Sequence, residues 1–133
     1  MTVYLDASVV LSIIMVDAHS DRAARWYAAL QASVIISDLA NLEVCAVISR
    51  ELRATRFSRE AADQALLDFD ALRAGSEQAT PNAQDFALAD RLVRDFATKL
   101  AAADALHLAS TISAGATLAT FDARLAEALA RRA

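Results

Sequence analysis

Residues that interrupt or crosslink a chain are scarce here: 2 glycines, 1 proline and 1 cysteine in 133 residues. So little glycine excludes a Gly-rich phosphate loop and, with so little proline, makes long disordered segments unexpected. The single cysteine, Cys45, allows neither a disulfide framework nor a Cys-rich zinc site. It lies in an apolar run, where a buried structural thiol is expected. The two histidines, His19 and His107, lack zinc-type spacing. The apolar run from Ala7 to Val16 is shorter than the roughly 20 residues that span a bilayer, and no basic leader precedes it. A cytoplasmic protein is therefore expected, with no membrane partner. A net charge of -4 argues against general affinity for nucleic acid.

What is abundant is apolar. Hydrophobic residues make up 56% of the chain and mean hydropathy is +0.31, more than one small core needs, so a partner surface is expected to absorb part of it. The length is that of one domain, residues 1–133, able to bury a core without disulfides or a structural metal.

Local signals alternate strand with helix. Thr2 to Leu5 reads as a strand and Ser8 to about Met15 as a helix capped by Asp6 or Ser8. A second helix runs from His19 to Gln31, with Ser20 as its cap, followed by a short strand, Val34 to Ile36. Ser37 and Asp38 cap a helix to about Arg53, and Ser58 caps another that stops near Gly75. Thr80-Pro81 predicts a helix from Asn82 to about Ala97. A helix from about Ala101 stops at Gly115, Ala116 to Thr120 is a strand, and Ala123 to Arg131 a closing helix. The pattern predicts an α/β fold with a small parallel sheet.

Four acids stand out against this frame. Asp6 and Asp122 fall beyond the carboxyl ends of the first and last strands, where α/β sheets bind ligands. Glu43 has Leu39, Ala46 and Val47 at helical spacing, and Asp104 has Leu100, Ala101 and Leu108, so both carboxylates share largely apolar helix faces. Each also has a plainer reading. Asp6 and Asp122 suit helix caps, Glu43 suits a pair with Arg50, and Asp104 suits the first turn of a helix. His107, one turn from Asp104, is expected to be a packed or hydrogen-bonded helix histidine.

The segments YLDASVV, SDLANLEV, AAADALHLA and TLATFDARLAEA, in that order along nearly the whole chain, resemble the PIN-domain ribonucleases, in particular the VapC-type toxins of toxin–antitoxin modules. The resemblance implies a PIN-like three-layer sandwich with helices on both faces of the sheet, a divalent-metal site and endonucleolytic cleavage of RNA. Its acidic quartet falls on Asp6, Glu43, Asp104 and Asp122. It also implies a homodimer and a cognate antitoxin. One departure is that no strand follows the last helix, RLAEALARRA.

Physical chemistry supports the metal. Four carboxylates a few Å apart repel by about 4 kcal/mol per close pair at an effective dielectric of 20, so they take up protons or share a cation. Oxygen ligands favour Mg²⁺ or Mn²⁺. Asp6 and Asp104 are assigned to the principal ion. Glu43 completes that shell or orients the attacking water, and Asp122 holds the water network or a second ion. Ser8 and Thr120 serve either as hydrogen-bond partners of these ligands or in ordinary capping and strand roles. Arg50, Arg53, Arg56 and Arg59 recur every three residues, as a phosphate track, a docking surface or a solvated face. Three other readings share these features: an RNA-processing PIN nuclease, a phosphotransfer or receiver domain, and a non-catalytic PIN-scaffold binding module. The receiver is disfavoured because Lys99, the one lysine, does not follow a strand, and DAS lacks the second acid of an Asp-x-Asp motif.

Overall fold

The computed structural model describes residues 1–132. Four parallel strands form the sheet: β1 (Thr2–Leu5), β2 (Ser33–Ser37), β3 (Glu77–Ala79) and β4 (Thr117–Ala119), in spatial order β3-β2-β1-β4. Seven helices among the described residues surround it: α1 (Ala7–Ile14), α2 (Ser20–Ala29), α3 (Asp38–Arg53), α4 (Arg59–Ala74), α5 (Ala83–Arg94), α6 (Ala102–Ser113) and α7 (Ala123–Arg132). The predicted three-layer α/β architecture is the one observed.

Strand alternation divides the core. On one face Val3, Leu5, Val34 and Ile36 pack with Val10, Val44 and Phe69 from α1, α3 and α4. Tyr4, of opposite parity to Val3 and Leu5, is fully buried on the other face. The apolar cluster of that side is built by α5, α6 and α7 around Leu92, Leu108 and Leu125. The central strands are buried on both faces, which is why VYL and VII are continuous apolar runs rather than alternating ones.

Several boundaries follow directly from capping. Asp6, Ser37 and Ser58 each accept a hydrogen bond from the backbone N–H three residues on, opening α1, α3 and α4. Gly115, at φ +62°, closes α6: its own N–H reaches Ile112 O and the Ala116 N–H reaches Thr111 O.

Several expectations need correction. The strand β3 had no sequence signal, because Glu77 and Gln78 are exposed on an edge strand that buries little. The cap of α5 is Asn82, in a reciprocal box with Asp85, whereas the Thr80 hydroxyl donates to Asp38. That helix stops at Arg94, because Asp95 leaves helical geometry and its carboxylate caps a short 3₁₀ turn at Phe96–Thr98. Ser20 does not cap α2; its hydroxyl donates to Met15 O and accepts from the Asp17 N–H. Cys45 is half-buried rather than buried, with Sγ 3.9 Å from Asn41 Oδ1.

Candidate metal centre at the carboxyl edge of the sheet

Asp6 follows β1 directly and is 4% exposed. The parallel pairing of β1 with β4, Leu5 opposite Ala119, sets Asp6 beside the segment leaving β4. The Asp6 N–H donates to Ala119 O at 3.2 Å. Asp6 Oδ1 accepts from the Ser8 hydroxyl at 2.6 Å and the Val9 N–H at 3.2 Å, and Oδ2 accepts from the Thr120 hydroxyl. Ser8 and Thr120 each reach back as well. Ser8 Oγ accepts the Phe121 N–H at 3.0 Å and Thr120 Oγ1 accepts the Asp122 N–H at 2.9 Å. The two hydroxyls therefore lock the ends of β1 and β4 together around Asp6.

Asp122 opens α7, with Oδ1 accepting from the N–H groups of Arg124 and Leu125 at 2.9 and 3.4 Å. The plain capping readings of Asp6 and Asp122 thus hold, and each residue also sits at the sheet's carboxyl edge. Glu43 projects from α3 with about a third of its side chain exposed, and its Oε1 accepts from His107 Nε2. It pairs with His107, not with Arg50. Asp104 is the third residue of α6 and half-buried. The cap of α6 is Ala101, without a side-chain bond.

Electrostatics join what hydrogen bonds do not. The Asp104 carboxyl is pushed above its ordinary value, first by burial and then by the charges of Asp122 and Glu43, with His107 and Arg124 working the other way. The buried Tyr4 phenol is pushed far up by burial and by Glu43, Asp6 and Asp85, against its hydrogen bond with Ser37. Asp122 and Glu43 thus act on Asp104, and Glu43 and Asp6 both act on Tyr4. The four acids are not drawn into a closed shell: among the described residues no three His, Cys, Asp or Glu side chains are grouped closely enough to hold an ion.

The donor set suits a hard divalent cation. Its ligands would be carboxylate oxygens, and Mg²⁺ keeps several waters and needs only one or two direct carboxylates.

Sequence reasoning missed Tyr4 and Asp85. Tyr4 was read as part of an apolar strand, although a phenol buried on the opposite face from Val3 and Leu5 needs a hydrogen-bond partner. Asp85 is buried, caps α5 through the Asn82 box and lies 3.4 Å from Ser110 Oγ through Oδ2. A cleft of about 340 Å³ lies on the other face of β1, between α2 and β4, lined by Val3, Val9, Trp26, Leu30 and Phe121. It shares Thr120 with the acidic edge but holds none of the four acids. His19 stacks on Phe121 at 4.4 Å and Arg22 lies over the same ring.

The PIN domain model matches residues 3–130. The chain belongs to the PIN domain family. Solved structures of similar fold include VapC20 of Mycobacterium tuberculosis, a sarcin–ricin loop cleaving toxin, at TM-score 0.77 and 21% identity over 95% of this chain and 94% of that one. VapBC2 from Rickettsia felis, bound to a promoter DNA fragment, is similar at TM-score 0.73 and 18% identity, covering 96% and 92%. DNA-bound VapBC from Salmonella typhimurium follows the same pattern at TM-score 0.70 and 16% identity, covering 96% and 91%. Among curated proteins none matches by sequence. In this PIN domain no helix of the described residues is long and apolar enough to cross a membrane.

Proposed function

We propose that this PIN domain is a Mg²⁺- or Mn²⁺-dependent endoribonuclease, the toxin of a toxin–antitoxin pair that inhibits translation in the cytoplasm. The observation that carries the reading is geometric: in a chain that the PIN domain model matches over residues 3–130, the Thr120 hydroxyl ties Asp6, at the end of β1, to the Asp122 backbone beyond β4. Carboxylates gathered at the carboxyl edge of a parallel sheet are the oxygen donors that a hard divalent cation takes.

Asp6 and Asp104 are the residues that would hold the principal ion. A bound ion would polarise a phosphodiester oxygen and supply hydroxide near neutral pH. Ser8 and Thr120 fix both oxygens of Asp6, so this ligand is set before substrate arrives. Glu43 would complete the shell or orient the attacking water, and Asp122 would secure the water network or a second ion.

RNA has to be held by an acidic protein. Arg50 and Arg53 are exposed on the last turns of α3 and make no ion pair among the described residues. Arg56 is spent on Glu51 and Arg59 on Asp63, so only the first half of the arginine track is available for phosphate. The VapBC complexes among the structural neighbours support a cognate antitoxin as partner. For a homodimer, Phe86, Val93 and Phe96 leave apolar surface exposed on α5 and the turn after it.

The test is cleavage of a structured RNA pool by purified protein with Mg²⁺, with Mn²⁺ and with EDTA, beside Asp6→Asn. Metal-dependent cuts at few positions, lost in the variant, are expected. Metal binding without any cleavage would overturn the nuclease and favour the non-catalytic PIN-scaffold module, a reading that the existing engagements of Glu43 and Asp122 also fit. Cleavage of precursor RNAs without inhibition of translation would favour RNA processing instead.

A further inference from the structure

His107 is 2% exposed on α6, three residues after Asp104, and nothing in the ligand assignment calls for a histidine there. A leucine would fill the same space. Both ring nitrogens are nevertheless engaged. Nε2 meets Glu43 Oε1, and Nδ1 lies 2.6 Å from the Tyr4 hydroxyl. That hydroxyl is 2.9 Å from Ser37 Oγ, which accepts the Ala40 N–H at 3.1 Å as the cap of α3. The chain of hydrogen bonds starts at the cap of α3, crosses β1 and α6, and returns to α3 at Glu43. It joins the three elements that carry or adjoin Asp6, Glu43 and Asp104.

The proton between His107 and Glu43 can be assigned from donor capacity. A carboxylate only accepts, so the ring proton sits on Nε2. Nδ1 and the Tyr4 hydroxyl share the 2.6 Å bond on the other side of the ring.

We propose that His107, backed by Tyr4, is a positioning residue that holds Glu43 in one orientation at the acidic edge. The inference rests on the metallonuclease reading. Glu43 is the longest of the four acids and a third exposed, so without a partner it would sample several rotamers and lose that freedom on every binding event. His107 removes the search in advance, as a histidine–carboxylate pair outside a metal shell does for the ligands within it.

Two amide variants separate positioning from packing. The terminal nitrogen of His107→Gln falls near the place of Nε2 and can still donate to Glu43; that of His107→Asn falls near Nδ1 and cannot. Mn²⁺ affinity, read by titration calorimetry or by the spin-resonance signal of free ion, is expected to stay near wild type in His107→Gln. It is expected to fall by about 10–100-fold in His107→Asn, although both bury an amide and melt at similar temperatures. Tyr4→Phe should fall between them. Equal affinity in the two amide variants, or losses that follow melting temperature alone, would overturn the proposal.

Ring-nitrogen NMR of the metal-free protein gives an independent readout. The Nε2–H tautomer with a slowly exchanging proton is expected. A ring protonated on Nδ1 alone, in protein that binds Mn²⁺ normally, overturns the positioning role and leaves the nuclease reading intact. Wild-type protein with the expected tautomer but no affinity for Mn²⁺ overturns the nuclease reading, and the positioning role with it.

Discussion

Thr120 Oγ1 donates to Asp6 Oδ2 across 114 residues of sequence, and the same oxygen accepts the backbone N–H of Asp122. One hydroxyl thus sets the distance between the acids that follow the first and last strands. Thr120→Val keeps the shape and removes the bond. It leaves a buried carboxylate oxygen without its donor, at a cost of about 1–3 kcal/mol, and loosens a metal ligand. Unfolding midpoints in denaturant should fall accordingly and RNA cleavage should drop by about 10–100-fold. Unchanged cleavage would mean that Thr120 serves the strand alone.

Asp104 gives the stability of the metal-free protein a distinctive pH dependence. Its carboxyl is held above the ordinary value by burial and by Asp122 and Glu43, so the folded state binds this proton more tightly than the unfolded one. That contribution is fully present below the unfolded value and is lost as pH rises from about 4 through the folded one. In EDTA, Asp104→Asn should therefore melt above wild type at neutral pH, with the gap closing as pH falls. Parallel melting curves across pH would show that the carboxyl is not strained.

Metal should reverse that instability. At ten times the dissociation constant, binding stabilises the folded chain by about 1.4 kcal/mol, a rise of roughly 5 °C in a domain of this size. Thermal melts with increasing Mn²⁺ should show this rise in wild type and little of it in Asp6→Asn. A rise of equal size in both would place the ion elsewhere.

The arginine track should divide in two. Arg50→Ala with Arg53→Ala should weaken single-stranded RNA binding and flatten its dependence on salt, by about 0.7 in the logarithmic slope for each phosphate no longer neutralised. Arg56→Ala and Arg59→Ala, whose guanidinium groups already serve Glu51 and Asp63, should change it little. Filter binding across a salt series measures both.

The exposed apolar residues after the start of α5 offer a test of assembly. If copies meet there, Phe86→Glu with Phe96→Glu should shift the mass in solution from dimer to monomer without lowering the melting temperature of the monomer. Light scattering on a sizing column reads the outcome, and a dimer that survives must use another face.

Much of this protein was legible in one dimension because the relevant physics is local. Apolar runs at Val3 to Leu5 and Val34 to Ile36 marked strands buried on both faces, and Ser37, Ser58 and Gly115 marked helix ends through hydrogen bonds that span only a few residues. The four acids were visible because carboxylates at strand ends or on apolar helix faces need a reason to be there. Edge strand β3 was not legible: Glu77 and Gln78 carry no burial signal, and their pairing with Ile35 and Ile36 depends on a neighbour 42 residues away in sequence.

The partners of the acids were decided by tertiary structure. Sequence could offer Ser8 and Thr120 as neighbours of Asp6, but only the parallel pairing of β1 with β4 turned their hydroxyls onto one carboxylate. It could mark His107 as a helix histidine, yet the route through Tyr4 to Ser37, and the choice of Glu43 over solvent, required β1, α3 and α6 to meet. A capping bond is settled by neighbours along the chain, whereas the orientation of a buried polar side chain is settled by whichever donors and acceptors the fold brings within about 3 Å of it.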